Sequence, residues 1–291
     1  PQYCIENIST QKKQDPIQSI AGDVKLDQLS QILEWLCKHD IEYTELGIMN
    51  CVIAGGRILK PVLREIKRIT EEYPLKYTVH CLDEMDMRDV ANLEINHDIF
   101  RSSLEYTAEL GGKVFVAHFS RKSPDSKVEG LFEEGMFKMA EYAKQCGVII
   151  GIENIEIERV DPVVDLVKKL QHDNLKITFD FGHAFLASKL YDFDFLDAVR
   201  AANPYIQHTH IHDNIGNYDL ARLENKQKSL KSRMPLAKGD MHMPIGWGKI
   251  PYKEAFSIIR DSYNGVYMLE DQLSLWYHFL DETLETLKSL I

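Results

Sequence analysis

Eight short apolar runs recur along the chain: Tyr3–Ile8, Tyr43–Met49, Lys76–Cys81, Lys113–His118, Val148–Glu153, Lys176–Asp180, Tyr205–His212 and Val266–Glu270. Their lengths are those of strands. Between them lie segments whose apolar residues repeat three to four apart, such as Leu26, Leu29, Ile32, Leu33 and Leu36. Ile58, Val62, Leu63, Ile66 and Ile69 repeat in the same way, as do Val163, Val164, Val167 and Leu170. Leu275, Trp276, Phe279, Leu280, Leu284 and Leu287 close the chain with the same spacing. These are the core-facing stripes of helices. Strand–helix alternation leads to a parallel sheet, because successive parallel strands need a crossover. Eight strands are enough to close a (β/α)8 barrel. The rival, an open doubly wound sheet, normally carries a Gly-rich phosphate loop after its first strand, and none follows here.

A chain of 291 residues that is 44% hydrophobic suffices for one such barrel. The expected architecture is therefore α/β, a (β/α)8 TIM barrel formed as a single domain over residues 1–291. One stretch interrupts the rhythm. Asn214–Gly239 reads as a long loop or lid after strand seven and carries Arg222, Lys226, Lys228, Lys231, Arg233 and Lys238. Loops of this length inside a compact domain are uncommon unless they have a function. The stretch is either a lid that meets an anionic substrate or a solvated basic segment. The net charge of −11 argues against a nucleic-acid partner. No apolar stretch reaches the length of a membrane span, and Pro1–Ser9 lacks the pattern of a secretory leader. The cysteines, Cys4, Cys37, Cys51, Cys81 and Cys146, are odd in number and form no C-x-x-C. A reducing cytoplasm fits that usage. Nothing in the sequence excludes a homodimer.

The chemistry gathers at the ends of the runs. In a barrel of this type the strand C-termini converge on one face, where active sites lie. Strand three ends in His80, strand four in His118, strand five in Glu153-Asn154 and strand six in Asp180, followed by His183. Strand seven carries His208, His210 and His212 at period two, which puts them on one face. Strand eight ends in Glu270-Asp271. One such residue alone reads as a helix cap or a hydrogen-bonded structural histidine. Six consecutive strand ends of this kind read as a shared metal site, because buried acids are costly unless paired or metal-bound. Carboxylate and imidazole donors without thiolate suit Mn²⁺, Zn²⁺, Co²⁺ or Fe²⁺, and Mg²⁺ less well. The segment Gly239-Asp240-Met241-His242-Met243-Pro244-Ile245-Gly246-Trp247-Gly248 brings a further Asp and His towards the same face.

Ile152-Glu153-Asn154, Asp180-Phe181-Gly182-His183, His210-Ile211-His212-Asp213, Asp240-Met241-His242 with Gly246-Trp247-Gly248, and the closing Glu270 resemble the xylose isomerase-like TIM barrels. That superfamily holds sugar and sugar-phosphate isomerases and epimerases together with the endonuclease IV repair enzymes. The epimerase type implies one divalent metal (Mn, Zn or Co) on Glu153, Asp180, His210 and Glu270. The two glutamates also serve as its acid–base pair. His183 matches a residue near substrate or metal. Asn154, His212 and Trp247 are expected to touch substrate. The endonuclease IV type implies up to three Zn on nine ligands, which adds His80, His118, His183, Asp240 and His242 to the four. The flanks depart from the endonuclease IV pattern, since Phe119-Ser120 follows His118, Cys81-Leu82-Asp83 follows His80 and Phe-Gly separates Asp180 from His183, and the Gly239–Gly248 segment resembles the sugar type more.

The resulting expectation is proton transfer next to a sugar or sugar-phosphate carbonyl through an enediolate. A dehydratase or lyase acting on a keto-sugar or keto-inositol shares that first step. An endonuclease IV-like zinc phosphodiesterase acting on abasic DNA is the alternative from another class. Within the histidine row, residues two apart are displaced by about 6–7 Å, so the three cannot be equivalent. His208 is expected deep in the barrel and His210 on the metal. His212 is expected at the rim near substrate, or turned away with Asp213.

Overall fold

The computed structural model describes residues 3–5, 26–39, 41–47, 53–54, 56–82, 85–271 and 273–291. Eight strands, β1 (Tyr3–Ile5), β2 (Tyr43–Gly47), β3 (Lys76–His80), β4 (Val114–His118), β5 (Ile149–Glu153), β6 (Leu175–Asp180), β7 (Ile206–Ile211) and β8 (Tyr267–Leu269), form a closed barrel. Each strand pairs in parallel with the next, and β8 pairs with β1. Every expected run coincides with a strand, trimmed by up to a few residues where the ladder ends, except that β6 starts one residue earlier than its run, at Leu175. Residues 6–8 and 48–49 of the first two runs lie outside the described residues. The crossover helices include Leu26–Lys38, Lys60–Thr70, Leu93–Glu109, Ser126–Cys146, Asp161–Leu170, Phe181–Tyr191 and Tyr252–Ile259. Leu280–Leu290 ends the chain. The stripes read from the sequence are what these helices bury: Ile32, Leu33, Leu36, Val163 and Leu287 are almost fully inaccessible. An antiparallel pair of two-residue strands, Ile53–Ala54 and Arg57–Ile58, is too short to leave a periodic signal. Among the described residues no helix is long and apolar enough to cross a membrane.

Strand register positions the site. His118 lies opposite Glu153, Asp180 opposite His210, and Gly47 opposite His80. One step deeper, Glu45 faces Thr78 and Thr178 faces His208. The barrel interior is therefore polar near its carboxyl end.

The 214–239 stretch is more ordered than its composition suggests. It folds into short helical turns at Leu220–Glu224, Leu230–Arg233 and Met234–Leu236. Its hub is the buried Arg233, which donates to the carbonyls of Lys228, Lys238 and Asp240 at 2.8–2.9 Å. Arg222 Nε lies 2.6 Å from Glu156 Oε1 and ties the segment to the chain after β5. Two of the cations expected to meet an anionic substrate or solvent thus bind the protein itself.

Candidate metal centre

Glu153 ends β5, Asp180 ends β6, His210 lies in β7, and Glu270 follows β8. Each offers a ligand atom within 4.8 Å of the other three, and all four side chains are buried. His210 Nδ1 lies 3.2 Å from Glu153 Oε1, 3.3 Å from Glu270 Oε2 and 3.9 Å from Asp180 Oδ2. Among the described residues, Glu270 Oε2 is buried without a hydrogen-bond partner. Three carboxylates at one buried point repel one another and have lost their hydration, a cost that a cation offsets. A divalent ion fits both this donor set and the orphaned oxygen.

The protonation of these acids reflects the crowding. Burial raises the Glu153 carboxyl, but the charges of His210 and His118 and hydrogen bonds with His183 and His210 outweigh it and hold it well below the usual range. Glu270 follows the same pattern, with His210 and His242 overcoming burial. For Asp180 burial prevails over His183 and His212, and its pKa is raised.

Around this set stand further donors. His183, His212, Asp240 and His242 form a second group within 4.8 Å. Asp240 Oδ2 lies 2.6 Å from His242 Nε2 and 3.3 Å from His183 Nε2, and Asp240 Oδ1 lies 3.5 Å from His212 Nδ1. Among the described residues, Asp240 Oδ1 and His212 Nδ1 are buried without hydrogen-bond partners. His242 sits at φ +45°, a left-handed backbone that histidine seldom adopts, and its Nδ1 is 2.6 Å from the Glu270 carbonyl. Burial lowers the His242 pKa, but Asp240 and Glu270 push it up to about 10. On the other side of Glu153, Oε2 lies 3.2 Å from His80 Nε2 and 3.5 Å from His118 Nε2. Glu153 is thus the hub of the array, with His80, His118, His183 and His210 all within 3.5 Å of its carboxylate.

Local structure explains how the motifs serve the site. Asp180 Oδ1 caps the helix Phe181–Tyr191 by accepting from the His183 amide at 2.6 Å. Oδ2 is left for the cluster, where it lies 3.2 Å from His212 Nε2. Asp213 explains the Gly-x-Gly: its Oδ2 accepts from the Gly246 and Gly248 amides at 2.9 and 2.8 Å. A Cβ on Gly248 would meet Asp213 Oδ1 at 2.1 Å, so only glycine allows this approach.

The three residues expected to touch substrate have different surroundings. Asn154 has both ends of its amide bonded to the Asp180 backbone, at 2.8 and 3.0 Å, and joins the ends of β5 and β6. His212 is buried and stacks on His242 with ring centroids 4.1 Å apart. Trp247 is 40% exposed and packs with Trp276 and Phe279. His208 is fully buried below His210. Sequence reasoning missed two groups, Glu45 and Cys81, and gave a third, Asp271, no separate role. Glu45 lies at the barrel floor, and its only signal was a single acid inside an apolar run. Asp271 is buried, and desolvation raises its carboxyl well above the usual range. Cys81 brings a thiol within 4.8 Å of ligand atoms of His80 and His118.

Comparison with known proteins agrees with the barrel fold. The family model described as "Xylose isomerase-like TIM barrel" matches residues 33–289. An uncharacterized protein of Methanocaldococcus jannaschii is 24% identical over 263 residues, 84% of this chain and 80% of its own. Among solved structures, the 3-keto-D-glucoside 4-epimerase of E. coli superposes with a TM-score of 0.67 at 16% identity, covering 98% of both chains. A xylose isomerase-like TIM barrel protein from Mycobacterium smegmatis, in complex with magnesium, superposes with a TM-score of 0.68 at 13% identity, covering 100% of this chain and 97% of its own. With the family model spanning nearly the whole barrel, the chain belongs to the xylose isomerase-like TIM barrel family.

Proposed function

We propose that the protein is a divalent-metal-dependent sugar isomerase or epimerase. The observation that carries this reading is the pairing of Glu153 and Glu270: two buried glutamates from different strands converge on one imidazole nitrogen, His210 Nδ1, at 3.2 and 3.3 Å. With Asp180 they make a centre able to bind an ion and also to accept and return a proton. Mn²⁺, Co²⁺ or Zn²⁺ on Glu153, Asp180, His210 and Glu270 would supply positive charge for the oxyanion that develops when a proton leaves the carbon beside a sugar carbonyl. Glu153 and Glu270 are the acid–base pair. Two bases serving opposite faces of one carbon give epimerisation, and one base moving the proton between neighbouring carbons gives isomerisation. A keto-sugar dehydratase would begin with the same abstraction. The epimerase fold neighbour supports the sugar reading, and the magnesium complex supports a divalent ion. Because Arg222 and Arg233 bind within the protein, an uncharged sugar fits better than a phosphorylated one.

The test is solvent deuterium exchange, followed by ¹H NMR, into a panel of ketoses and keto-sugars with Mn²⁺ or Co²⁺ present. Exchange is expected with at least one substrate, and Glu153→Gln and Glu270→Gln should each slow it by about 10²–10⁴-fold. No exchange across the panel would overturn the reading. One observation favours a second reading: all nine residues matched to an endonuclease IV zinc cluster lie around Glu153 and Asp240. Three Zn per chain together with nicking of abasic-site DNA would establish that phosphodiesterase instead. About one metal per chain without nicking supports the sugar enzyme.

A further inference from the structure

β2 contributes nothing to the four-residue metal set, yet it carries a carboxylate to the floor of the same site. Glu45 is 1% exposed. Its Oε2 accepts a hydrogen bond from Thr78 Oγ1 at 2.5 Å, across the β2–β3 register that places the two residues opposite each other. The same oxygen lies 3.2 Å from His208 Nε2. Its Oε1 lies 3.0 Å from His210 Nε2. His210 is thus held between two sets of carboxylates: Nε2 faces Glu45, and Nδ1 faces Glu153, Glu270 and Asp180.

An imidazole that binds a metal presents a lone pair on one nitrogen and carries its proton on the other. A carboxylate that accepts this second N–H selects the tautomer, orients the ring and makes the ligand more basic. We infer that Glu45 is a positioning residue of the metal centre: by accepting the His210 Nε2 proton, it turns a bare Nδ1 towards the ion held by Glu153, Asp180 and Glu270. This inference rests on those residues being the metal ligands. Thr78 completes the arrangement by donating to Oε2, the oxygen turned away from His210, and His208 Nε2 lies 3.2 Å from the same oxygen. Because Glu45, His80 and His210 also bring ligand atoms within 4.8 Å of one another, Glu45 has a rival role as a ligand itself. That role would require His210 to bind through Nε2 and give up the proton there.

The test uses the chelator-stripped full chain titrated with Co²⁺, read by the visible absorption of the bound ion, for wild type and Glu45→Gln. The variant keeps the shape of the side chain but removes its charge. It should bind Co²⁺ about 10–100-fold more weakly, while the far-UV CD of the metal-free chain stays unchanged. Equal affinity in wild type and variant would overturn the inference and leave the metal set standing. If wild type itself takes up no metal, the metal reading falls and this inference falls with it. A second measurement does not depend on whether the variant folds: ¹⁵N-edited NMR of the imidazoles in wild type loaded with Zn²⁺. A proton retained on His210 Nε2 is the expected result, and a proton on Nδ1 or loss of the Nε2 proton refutes it.

Discussion

Asp180 shows how one side chain fills two roles that the sequence presents as alternatives. Its Oδ1 caps a helix and its Oδ2 enters the cluster. The helix it starts has glycine as its second residue for a reason seen only in space. A Cβ on Gly182 would lie 2.0 Å from His212 Cε1 and 2.5 Å from both ring nitrogens. The ring is buried against His242 and Asp180 and has nowhere to move. Gly182→Ala should therefore destabilise the fold by about 1–3 kcal/mol through overpacking. It should also displace His212 from Asp240. Urea denaturation checks the first effect as a lower midpoint at unchanged slope. A midpoint equal to wild type would show that the ring shifts freely.

Among the elements, the loops after the strands are anchored by buried charge. Arg88, in the chain between β3 and the helix Leu93–Glu109, is almost fully buried. It donates to the Phe119 carbonyl and pairs with Glu129 at 2.6 Å. Its guanidinium lies over the rings of Phe132 and Phe119, 3.6 and 4.4 Å from their centroids. One residue thus joins the loops after β3 and β4 to the helix Ser126–Cys146. Burial raises the Glu129 carboxyl, but hydrogen bonds from Arg88 and the Ser123 amide and the Arg88 charge lower it further. A carboxyl depressed by folding stabilises above its unfolded pKa of about 4.3 and loses that contribution as pH falls through the folded value. Glu129→Gln leaves Arg88 buried without its counter-charge, at a cost of about 3 kcal/mol at neutral pH. The gap between the wild-type and variant melting points should hold above pH of about 5 and narrow under acid. A gap independent of pH would point to lost packing rather than lost charge.

For the whole molecule, closing eight strands into a barrel gathers Glu153 of β5, Asp180 of β6 and Glu270, just after β8, around His210, with Glu45 of β2 on the other side of the ring. The ionic part of the site is therefore under tension that a cation relieves. An ion that binds the native chain and not the unfolded one, present at a hundred times its dissociation constant, stabilises by about 2.7 kcal/mol. At roughly 2–4 °C per kcal/mol for a chain of this size, Mn²⁺ or Co²⁺ should raise the melting point by about 5–10 °C. A chelator should reverse the rise, and Asp180→Asn should reduce it. Scanning calorimetry with and without metal measures the shift, and its absence in wild type would count against a resident ion.

The strands and helices were legible in the sequence because they depend on local periodicity, and so were their order and the parallel sense of the barrel. The strand-end donors were legible as well, since any barrel of this topology brings Glu153, Asp180, His210 and Glu270 to one face. Tertiary structure alone decided how those donors divide. Period two places His208, His210 and His212 on one face, but only register and depth separate them. His208 lies beside Glu45 at the floor, His210 stands between Glu45 and the carboxylates of Glu153, Asp180 and Glu270, and His212 joins Asp240 and His242. Glu45 had no motif around it, because its meaning comes from a strand some 165 residues away in sequence. Patterns along the chain determine which elements form and which faces they bury. Which buried polar group meets which is settled by closure of the barrel, because that is where acids and imidazoles distant in sequence come within hydrogen-bond reach.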